Sequence, residues 1–348
     1  MHARATSVVV KNGVFNFAER LTKNPGTIIQ NHYGNMDNGS EKPPRFILGY
    51  WCTRCLGAPL RMILSAAQVN HWVLLYDAKE DNRGGWDKSC WFQDKEWLQK
   101  NFPFINLPFL VDCSTGQIIS QTNAIAMYLG RELNLLGKTK QETAQCEELL
   151  NELTDLRNLM LDFAYKTDQK TIETEAKDVL EKSHVHFNKI EQHFKQEYSS
   201  SKIQMSKVCH LVGNRYSVPD FFLWECLDQF EGLCTRFKIQ SPLGGDPDNA
   251  YPHLSSFYQI FSEDPVNQPY LSQYDLAGHG LVGKNSVPNG IQLPYNSPYA
   301  RFGSCPNPTD VYIRGQKTPW RARGIIKQRY PRIKTEIDGK TLIANERI

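Results

Sequence analysis

The sequence contains no run of about 18 consecutive apolar residues, the length that a membrane-spanning helix needs, so we expect no membrane association. Residues 1–34 also lack the apolar segment of a secretory signal peptide, although their basic character leaves a transit peptide open. Nine cysteines, an odd number at irregular spacing, do not form the pattern of a disulfide scaffold. Reduced thiols in a reducing compartment are the better interpretation, so we expect a cytoplasmic protein.

The sequence also lacks the signals of metal binding and of nucleic-acid binding. His184, His186 and His193 have no Cys, Asp or Glu set at metal spacing beside them. We therefore interpret them as parts of solvated helix faces and expect no metal. The basic run at 314–332 belongs to no recognisable nucleic-acid-binding module, so we expect no nucleic-acid partner.

Charge is distributed unevenly along the chain. Residues 1–45 carry a net charge of +3 and residues 270–348 carry +7, which leaves −7 for residues 46–269. The first segment predicts an irregular N-terminal extension. The last interleaves Pro, Tyr and Arg without a period that could bury a core, and we interpret it as a C-terminal extension. Its charge predicts binding to an acidic protein surface, and a clamp along the chain's own helical domain is the alternative.

Residues 46–133 alternate extended and helical patterns. Apolar runs at 46–51 and 72–76 predict two buried parallel strands. Between them lies a helical pattern in which Pro59 fits only the first turn. The sequence therefore predicts a β-α-β unit.

A hairpin and a helix should complete this domain. Pro108 marks a strand start, because proline cannot donate in a central ladder. Residues 109–111 and 118–119 predict the two strands, joined by a Ser-Thr-Gly turn. A helix at 123–133 follows, with Thr122 or Asn123 as its cap, and its N-terminus suits a carboxylate.

Residues 139–269 show only helical spacing. Two long apolar periodicities precede residue 198. Ser217 and Asp220 then form a capping box, with Pro219 in the first turn, and predict a buried helix over about 218–237. The fold class is therefore an α/β domain followed by an all-α domain.

Five motifs, in order, resemble those of mu-class glutathione transferases. They are Leu48–Arg61, Asp87–Trp91, Asn106–Pro108, Gln121–Ile125 and Ser217–Asp220. The resemblance covers roughly residues 46–269, and neither extension has a counterpart in the family. It implies a thioredoxin-like domain, a cis-proline at Pro108, a helical domain and glutathione as co-substrate of an electrophilic small molecule.

The resemblance also implies roles for individual residues. Tyr50 corresponds to the tyrosine whose hydroxyl stabilises the glutathione thiolate, and is the expected catalytic residue. The remaining residues expected to bind glutathione are Trp51, Leu56, Lys88, Trp91, Lys95, Asn106, Leu107, Pro108, Gln121 and Thr122. Trp91 and Lys95 correspond to the pair at the glycyl carboxylate, with Lys88 in place of an arginine. The Leu107 backbone pairs with the cysteinyl part, and Gln121 and Thr122 with the γ-glutamyl end.

A homodimer is expected on the same grounds. Phe104 and Arg131 correspond to residues of the family's dimer interface. Asp155 corresponds to an acidic residue that the partner subunit donates to the glutathione site, if a one-residue gap is allowed. Tyr165 corresponds to a second tyrosine, in the pocket for the electrophile.

The sequence departs from the family at Cys52 and Cys55, where Cys55 replaces a glycine. A C-x-x-C beside a β-α-β unit suggests a redox role, but its register differs from that of redox members of the superfamily. Two ordinary thiols are the alternative.

Two functions also stay open at this point. One is a working glutathione transferase, and the other is a structural protein of a larger assembly, such as a cytoskeletal or ciliary microtubule lattice, anchored by its basic ends.

Overall fold

The structure of the protein is a computed structural model. It describes residues 27–32, 36–37, 40–41, 44–76, 79–80, 86–166, 170–199, 210–244, 251–271, 310–313, 316–319, 332–337 and 340–345. The chain divides into two compact units, of which the first comprises residues 1–125 and 318–348 and the second residues 126–317. Each unit is described by itself.

Thirteen strands and eight α-helices lie within the described residues. The strands are β1 Thr27–His32, β2 Met36–Asp37, β3 Ser40–Glu41, β4 Phe46–Trp51, β5 His71–Tyr76, β6 Lys79–Glu80, β7 Trp86–Asp87, β8 Phe109–Asp112, β9 Gln117–Ser120, β10 Asp310–Ile313, β11 Gln316–Pro319, β12 Arg332–Ile337 and β13 Lys340–Asn345. The helices are α1 Ala58–Ala66, α2 Ser89–Gln99, α3 Thr122–Glu132, α4 Lys140–Lys166, α5 Ile172–Ser199, α6 Val218–Phe237, α7 Pro252–Glu263 and α8 Gln268–Leu271.

A five-stranded mixed sheet in the order β1–β5–β4–β8–β9 forms the centre of the first unit. Strands β4 and β5 run parallel, and α1 connects them with Pro59 in its first turn. Strand β8 runs antiparallel to both β4 and β9, and forms a hairpin with β9. The predicted β-α-β unit and hairpin are therefore confirmed, together with the fold class that they indicated.

Strand β1 corrects the expectation of an irregular N-terminal extension at residues 27–32, whereas residues 1–26 lie outside the described residues. The strand pairs antiparallel with β5 over its full length, from Thr27 opposite Tyr76 to His32 opposite His71. The Thr-Ile-Ile run has the β-branched composition of a strand, but its surroundings are rich in Asn and Gly, which obscured it. Pairing with β5 satisfies backbone groups that a sheet edge would otherwise expose.

An aromatic cluster joins helix α2 to this sheet. The rings of Trp91 and Phe109 stack with centroids 5.9 Å apart, and Tyr76 meets Trp91 edge-on at 5.2 Å. Gly49 lies opposite Phe109 in the ladder, and a Cβ at residue 49 would overlap the phenyl ring. Since any side chain at residue 49 would displace this ring, the close contact requires glycine.

Long helices build the second unit. Helices α4 and α5 account for the two long periodicities, and α6 covers the predicted span from Val218 to Phe237. The capping box is confirmed, because Asp220 accepts the Ser217 N–H at 2.7 Å and the Ser217 side chain accepts a backbone N–H of the first turn. The buried Glu191 carboxylate caps α7 in a similar way, since it accepts the N–H groups of His253 and Leu254 at 3.1 and 3.0 Å.

The histidines of α5 have hydrogen-bond partners on neighbouring elements. Nδ1 of His184 lies 2.7 Å from the hydroxyl of Tyr251, and Nε2 of His193 lies 2.7 Å from the carbonyl oxygen of Leu211. His186 lies 2.6 Å from the Glu152 carboxylate. The expectation of solvated faces is therefore corrected: these side chains join α5 to neighbouring elements, which sequence spacing alone does not reveal.

The C-terminal extension contains two strand pairs, β10 with β11 and β12 with β13. In the second pair Ile337 lies opposite Lys340, so the intervening residues are only Asp338 and Gly339. An Asp-Gly dipeptide between extended runs is a strong hairpin signal. The expectation for this segment rested on its proline content and net charge, and so missed the hairpin. Residues 272–309 and 320–331, on which the rest of the C-terminal expectation falls, lie outside the described residues.

None of the described helices combines the length and apolar character that crossing a bilayer requires. Among the described side chains, no three His, Cys, Asp or Glu residues are arranged to hold a metal ion.

Buried His71 makes the stability of the first unit depend on pH. Burial lowers its pKa from 6.5 to about 4, although Nδ1 also donates to the Val69 carbonyl at 2.7 Å. Between about pH 6.5 and 4, His71 is protonated in the unfolded chain but stays neutral in the folded chain. The contribution of His71 to the free energy of unfolding is therefore constant above about pH 6.5. It falls by about 3 kcal/mol as the pH drops to about 4.

We predict that His71→Gln removes this part of the pH dependence. Urea unfolding at several pH values between 7 and 4 measures it. The free energy of unfolding should fall less steeply in the variant than in the parent, since glutamine has no proton to bind. Parallel curves for the two proteins would contradict the prediction.

Candidate functional site

One edge of the five-stranded sheet brings most of the expected site residues together. Gly49 pairs with Phe109, and Phe109 pairs with Ser120, so these three residues form a row across β4, β8 and β9. Tyr50 follows Gly49, Pro108 precedes Phe109, and Gln121 follows Ser120. Because β8 runs opposite to its two neighbours, these three residues project from the same edge of the sheet.

Tyr50 is held by the turn that follows β4. The backbone N–H of Leu56 donates to the Tyr50 hydroxyl at 3.4 Å. A Cβ at Gly57 would overlap the Tyr50 ring, so the glycine allows the ring to lie directly against the turn. Buried Arg61 donates to the carbonyl oxygens of Thr53 and Arg54 at 2.7 and 3.2 Å. The hydroxyl of Tyr50 is thus positioned by the backbone of a turn whose shape Arg61 maintains.

The loop before β8 is pinned to β9. The Leu107–Pro108 peptide bond is cis, and both residues are buried. Ser120 accepts the N–H of Asn106 and donates to the Phe104 carbonyl, each at 3.1 Å. This clamp was not expected, although Ser120 directly precedes the Gln121 motif. It fixes the backbone around Leu107 at the sheet edge.

Gln121 has an unusual backbone conformation. Its φ is +75°, in the left-handed region that non-glycine residues rarely occupy. Its carbonyl accepts the N–H of Ile125 at 2.9 Å, so Gln121, rather than Thr122 or Asn123, is the residue that caps α3. Strain at such a position costs about 1–3 kcal/mol and often marks a binding site. Thr122 follows as the first, buried residue of the helix, where backbone N–H groups and the dipole favour an anion.

Trp91 packs against the sheet. Its side chain is 2% exposed and stacks on Phe109, and its expected contact with the glycyl carboxylate stays a prediction. Lys88, which precedes α2, and Lys95 within it are both half-buried and keep the positive charges expected there. Trp51, at the end of β4, is half-buried as well.

A buried acid next to Trp91 was not expected. Asp94 accepts the hydroxyl of Tyr76 at 2.9 Å, and burial together with this carboxylate raises the pKa of Tyr76 well above its usual value. The pair joins α2 to β5, and so holds the helix that carries Lys88 and Lys95. Tyr76 and Asp94 are 18 residues apart in the chain, so no local sequence pattern indicated this hydrogen bond.

Residues expected at the interface and the second pocket are exposed. Asp155 and Tyr165 both lie on α4, in the second unit. Arg131 is exposed in the last turn of α3. Phe104, in the first unit, is 85% exposed, which is unusual for a large apolar side chain. The roles assigned to these residues stay predictions.

Comparison with known proteins agrees with the motifs. The family model "Glutathione S-transferase, C-terminal domain" matches residues 154–273. Glutathione S-transferase Mu 1 of Mus musculus is 31% identical over 221 residues, which are 62% of this chain and 85% of that protein. Glutathione S-transferase B of Cavia porcellus is 29% identical over 217 residues, which are 62% of this chain and 85% of that protein.

A solved structure supports the fold. The glutathione S-transferase Blo t 8 matches 74% of this chain and 99% of its own length, with a TM-score of 0.56 and 19% identity. The sequence likeness to the mouse protein, together with the sheet edge around Tyr50, carries the assignment further. The chain belongs to the glutathione S-transferase family and is similar to its mu-class members.

Proposed function

We propose that the protein binds glutathione at the sheet edge of its first unit and conjugates it to electrophilic small molecules. Tyr50 activates the thiol in this proposal. The observation that carries it is the hydrogen bond from the Leu56 N–H to the Tyr50 hydroxyl, in a turn braced by Arg61. The arrangement holds a phenol at the end of a strand beside the cis-proline loop, where the peptide backbone of a ligand can pair.

The Tyr50 hydroxyl acts as a hydrogen-bond donor to sulfur. Its oxygen accepts the Leu56 N–H, which directs its own proton away from that amide and polarises the O–H bond. A donor favours the charged form of the group it binds, so the glutathione thiol would ionise more readily. The thiolate is the nucleophile that attacks the electrophile.

The two carboxylates of glutathione each meet positive charge, on separate elements of the unit. The γ-glutamyl carboxylate suits the N-terminus of α3, where Gln121 and buried Thr122 begin the helix. The Leu107 backbone, which the clamp by Ser120 steadies, suits the cysteinyl part. Lys88 and Lys95 suit the glycyl carboxylate. Trp91 stays the predicted partner of Lys95 at this carboxylate.

We predict that Tyr50→Phe slows conjugation by about ten- to a hundredfold while leaving glutathione binding nearly unchanged. A lost hydrogen bond to a charged group costs about 1.5–3 kcal/mol, and only the activation of sulfur depends on it. Conjugation of a generic aryl halide measures the rate, and retention on immobilised glutathione measures binding.

A matched control is Tyr198→Phe, which removes a hydroxyl bonded to the His210 backbone in the second unit. It should conjugate at the parent rate. Equal rates for Tyr50→Phe and the parent would show that another group activates the thiol. A folded parent that immobilised glutathione does not retain at neutral pH would overturn the proposed function as a whole.

We also propose a homodimer in which Phe104 packs into the partner subunit, with Arg131 near the two-fold axis and Asp155 reaching the partner's glutathione. The 85% exposure of Phe104, on a loop that Ser120 pins, supports this.

We predict that Phe104→Ser shifts the protein to monomer in light scattering. Phe92→Ser, at another exposed phenylalanine of the same unit, should remain dimeric. A monomeric parent at micromolar concentration would contradict the proposal.

A second candidate function is structural: anchoring to an acidic lattice through the basic C-terminal extension. The net charge of +7 on residues 270–348 favours it. We predict that deleting 280–348 leaves glutathione retention unchanged and abolishes salt-sensitive co-sedimentation with microtubules, because the deleted charges supply the attraction. If the truncated protein loses thermal stability and the parent never sediments, the extension is an intramolecular clamp.

A further inference from the structure

Ser120, the last residue of strand β9, makes two hydrogen bonds with the loop that precedes β8. Its hydroxyl accepts the backbone N–H of Asn106 and donates to the carbonyl oxygen of Phe104, each over 3.1 Å. A serine hydroxyl can do both at once, because it carries one proton and two lone pairs. One side chain therefore holds both backbone groups that flank the buried Ile105.

The rest of this loop is held in a different way. The N–H groups of Asn101 and Phe102 donate to the carbonyl oxygen of Leu98 in helix α2, at 3.1 and 3.0 Å. Ile105 and Leu107 are 3% and 9% exposed, so burial of apolar surface keeps the loop attached to the unit without the serine. Loss of the hydroxyl should therefore alter the backbone orientation near Leu107 and leave the fold intact.

The main chain of Ser120 is fixed by the sheet. Ser120 lies opposite Phe109 in the β8–β9 ladder, and Gln121, with its φ of +75°, follows directly. The residue thus connects two segments that are expected to bind glutathione. Its side chain holds the loop that leads to Leu107, and its main chain leads into the turn at Gln121. The distance and the angle between these two segments depend on Ser120.

A ligand that contacts both segments is sensitive to their relative placement. Hydrogen bonds from a backbone edge to an extended ligand weaken as the donor, proton and acceptor depart from a straight line. Binding groups that are already held in the bound geometry also lose less conformational freedom when the ligand arrives. A residue that fixes two such segments against each other therefore contributes to affinity without contacting the ligand.

We propose that Ser120 is a positioning residue that sets the affinity of the protein for glutathione and leaves the activation of the thiol unchanged. The inference rests on the proposed function, because it concerns the same glutathione site. The hydroxyl of Ser120 orients the Leu107 backbone towards the cysteinyl part, at a fixed distance from the γ-glutamyl turn at Gln121. Tyr50 follows β4, which β8 separates from β9, so affinity and rate depend on separate groups.

The test compares Ser120→Val with Ser120→Thr, two β-branched side chains of similar shape that differ in the hydroxyl. Titration calorimetry with S-methylglutathione, which has no reactive thiol, measures affinity apart from chemistry. We expect Ser120→Val to weaken binding by about tenfold, because two hydrogen bonds of modest net strength are lost. Ser120→Thr should bind within about twofold of the parent, because it keeps the donor and the acceptor.

Steady-state conjugation of an aryl halide gives a second readout. Ser120→Val should raise the KM for glutathione by about tenfold and keep kcat within about twofold of the parent, as a loss of binding common to ground and transition states does. Hydrogen exchange gives a third readout. The Asn106 amide should exchange faster in Ser120→Val than in Ser120→Thr, because the hydroxyl of residue 120 is its acceptor.

Ser114→Ala is the matched control. Ser114 lies in the turn at the opposite end of the same hairpin, where its hydroxyl donates to the Asp112 carboxylate. The variant also loses a serine hydroxyl, but far along the ladder from the loop that Ser120 holds. It should bind S-methylglutathione like the parent and keep the parent's KM.

Equal affinity of Ser120→Val and Ser120→Thr would overturn the inference, as would a fall in kcat at an unchanged KM. If Ser120→Val loses stability in urea but binds like the parent, the hydroxyl only stabilises the fold. In these cases the parent still binds S-methylglutathione, so the proposed site stands. A parent that neither binds S-methylglutathione nor is retained on immobilised glutathione would overturn the site and the inference together.

Discussion

The contact between Gly49 and the ring of Phe109 is the constraint on which the first unit depends. A side chain at residue 49 would occupy the place of the ring, and Trp91 could then no longer stack on it. Stacking ties α2 to the sheet, and the opposed backbones set β4 against β8 in one register. A slip by one residue would turn every side chain of the strand to the opposite face. The positions of Tyr50 and Pro108 at a shared edge follow from this contact.

The candidate site at that edge is built more from backbone than from side chains. Leu56 contributes an N–H to the Tyr50 hydroxyl, the loop at Leu107 contributes an extended edge, and α3 contributes its N-terminal amides. Side chains such as Arg61 and Ser120 act by holding that backbone in place. Backbone groups keep their positions when side chains change, so cysteines at residues 52 and 55 leave the N–H of Leu56 in place against Tyr50.

Local signals predicted the central elements of both units, although the Asp-Gly hairpin signal at 338–339 was missed. Pro59, the hairpin after Pro108 and the Ser217–Asp220 box all depend on neighbours a few residues away, and each was found where expected. Sequence reasoning was unreliable where a partner is distant. The burial of Trp91 depends on Phe109 across the sheet, and strand β1 on its pairing with β5. The histidines of α5 show the same limit, since their partners lie on other elements.

The sequence by itself determined the β-α-β unit with its hairpin, the long helices of the second unit, the family resemblance and Tyr50 as the candidate donor, because short-range periodicity, capping and motif spacing encode these features. Only the tertiary structure decided which side chains are available to a ligand. It buried Trp91, exposed Phe104, gave Gln121 and Cys55 positive φ angles, and set two buried arginines around the C-x-x-C turn. Burial and backbone strain arise from contacts between segments far apart in the chain, and no local pattern of residues specifies them.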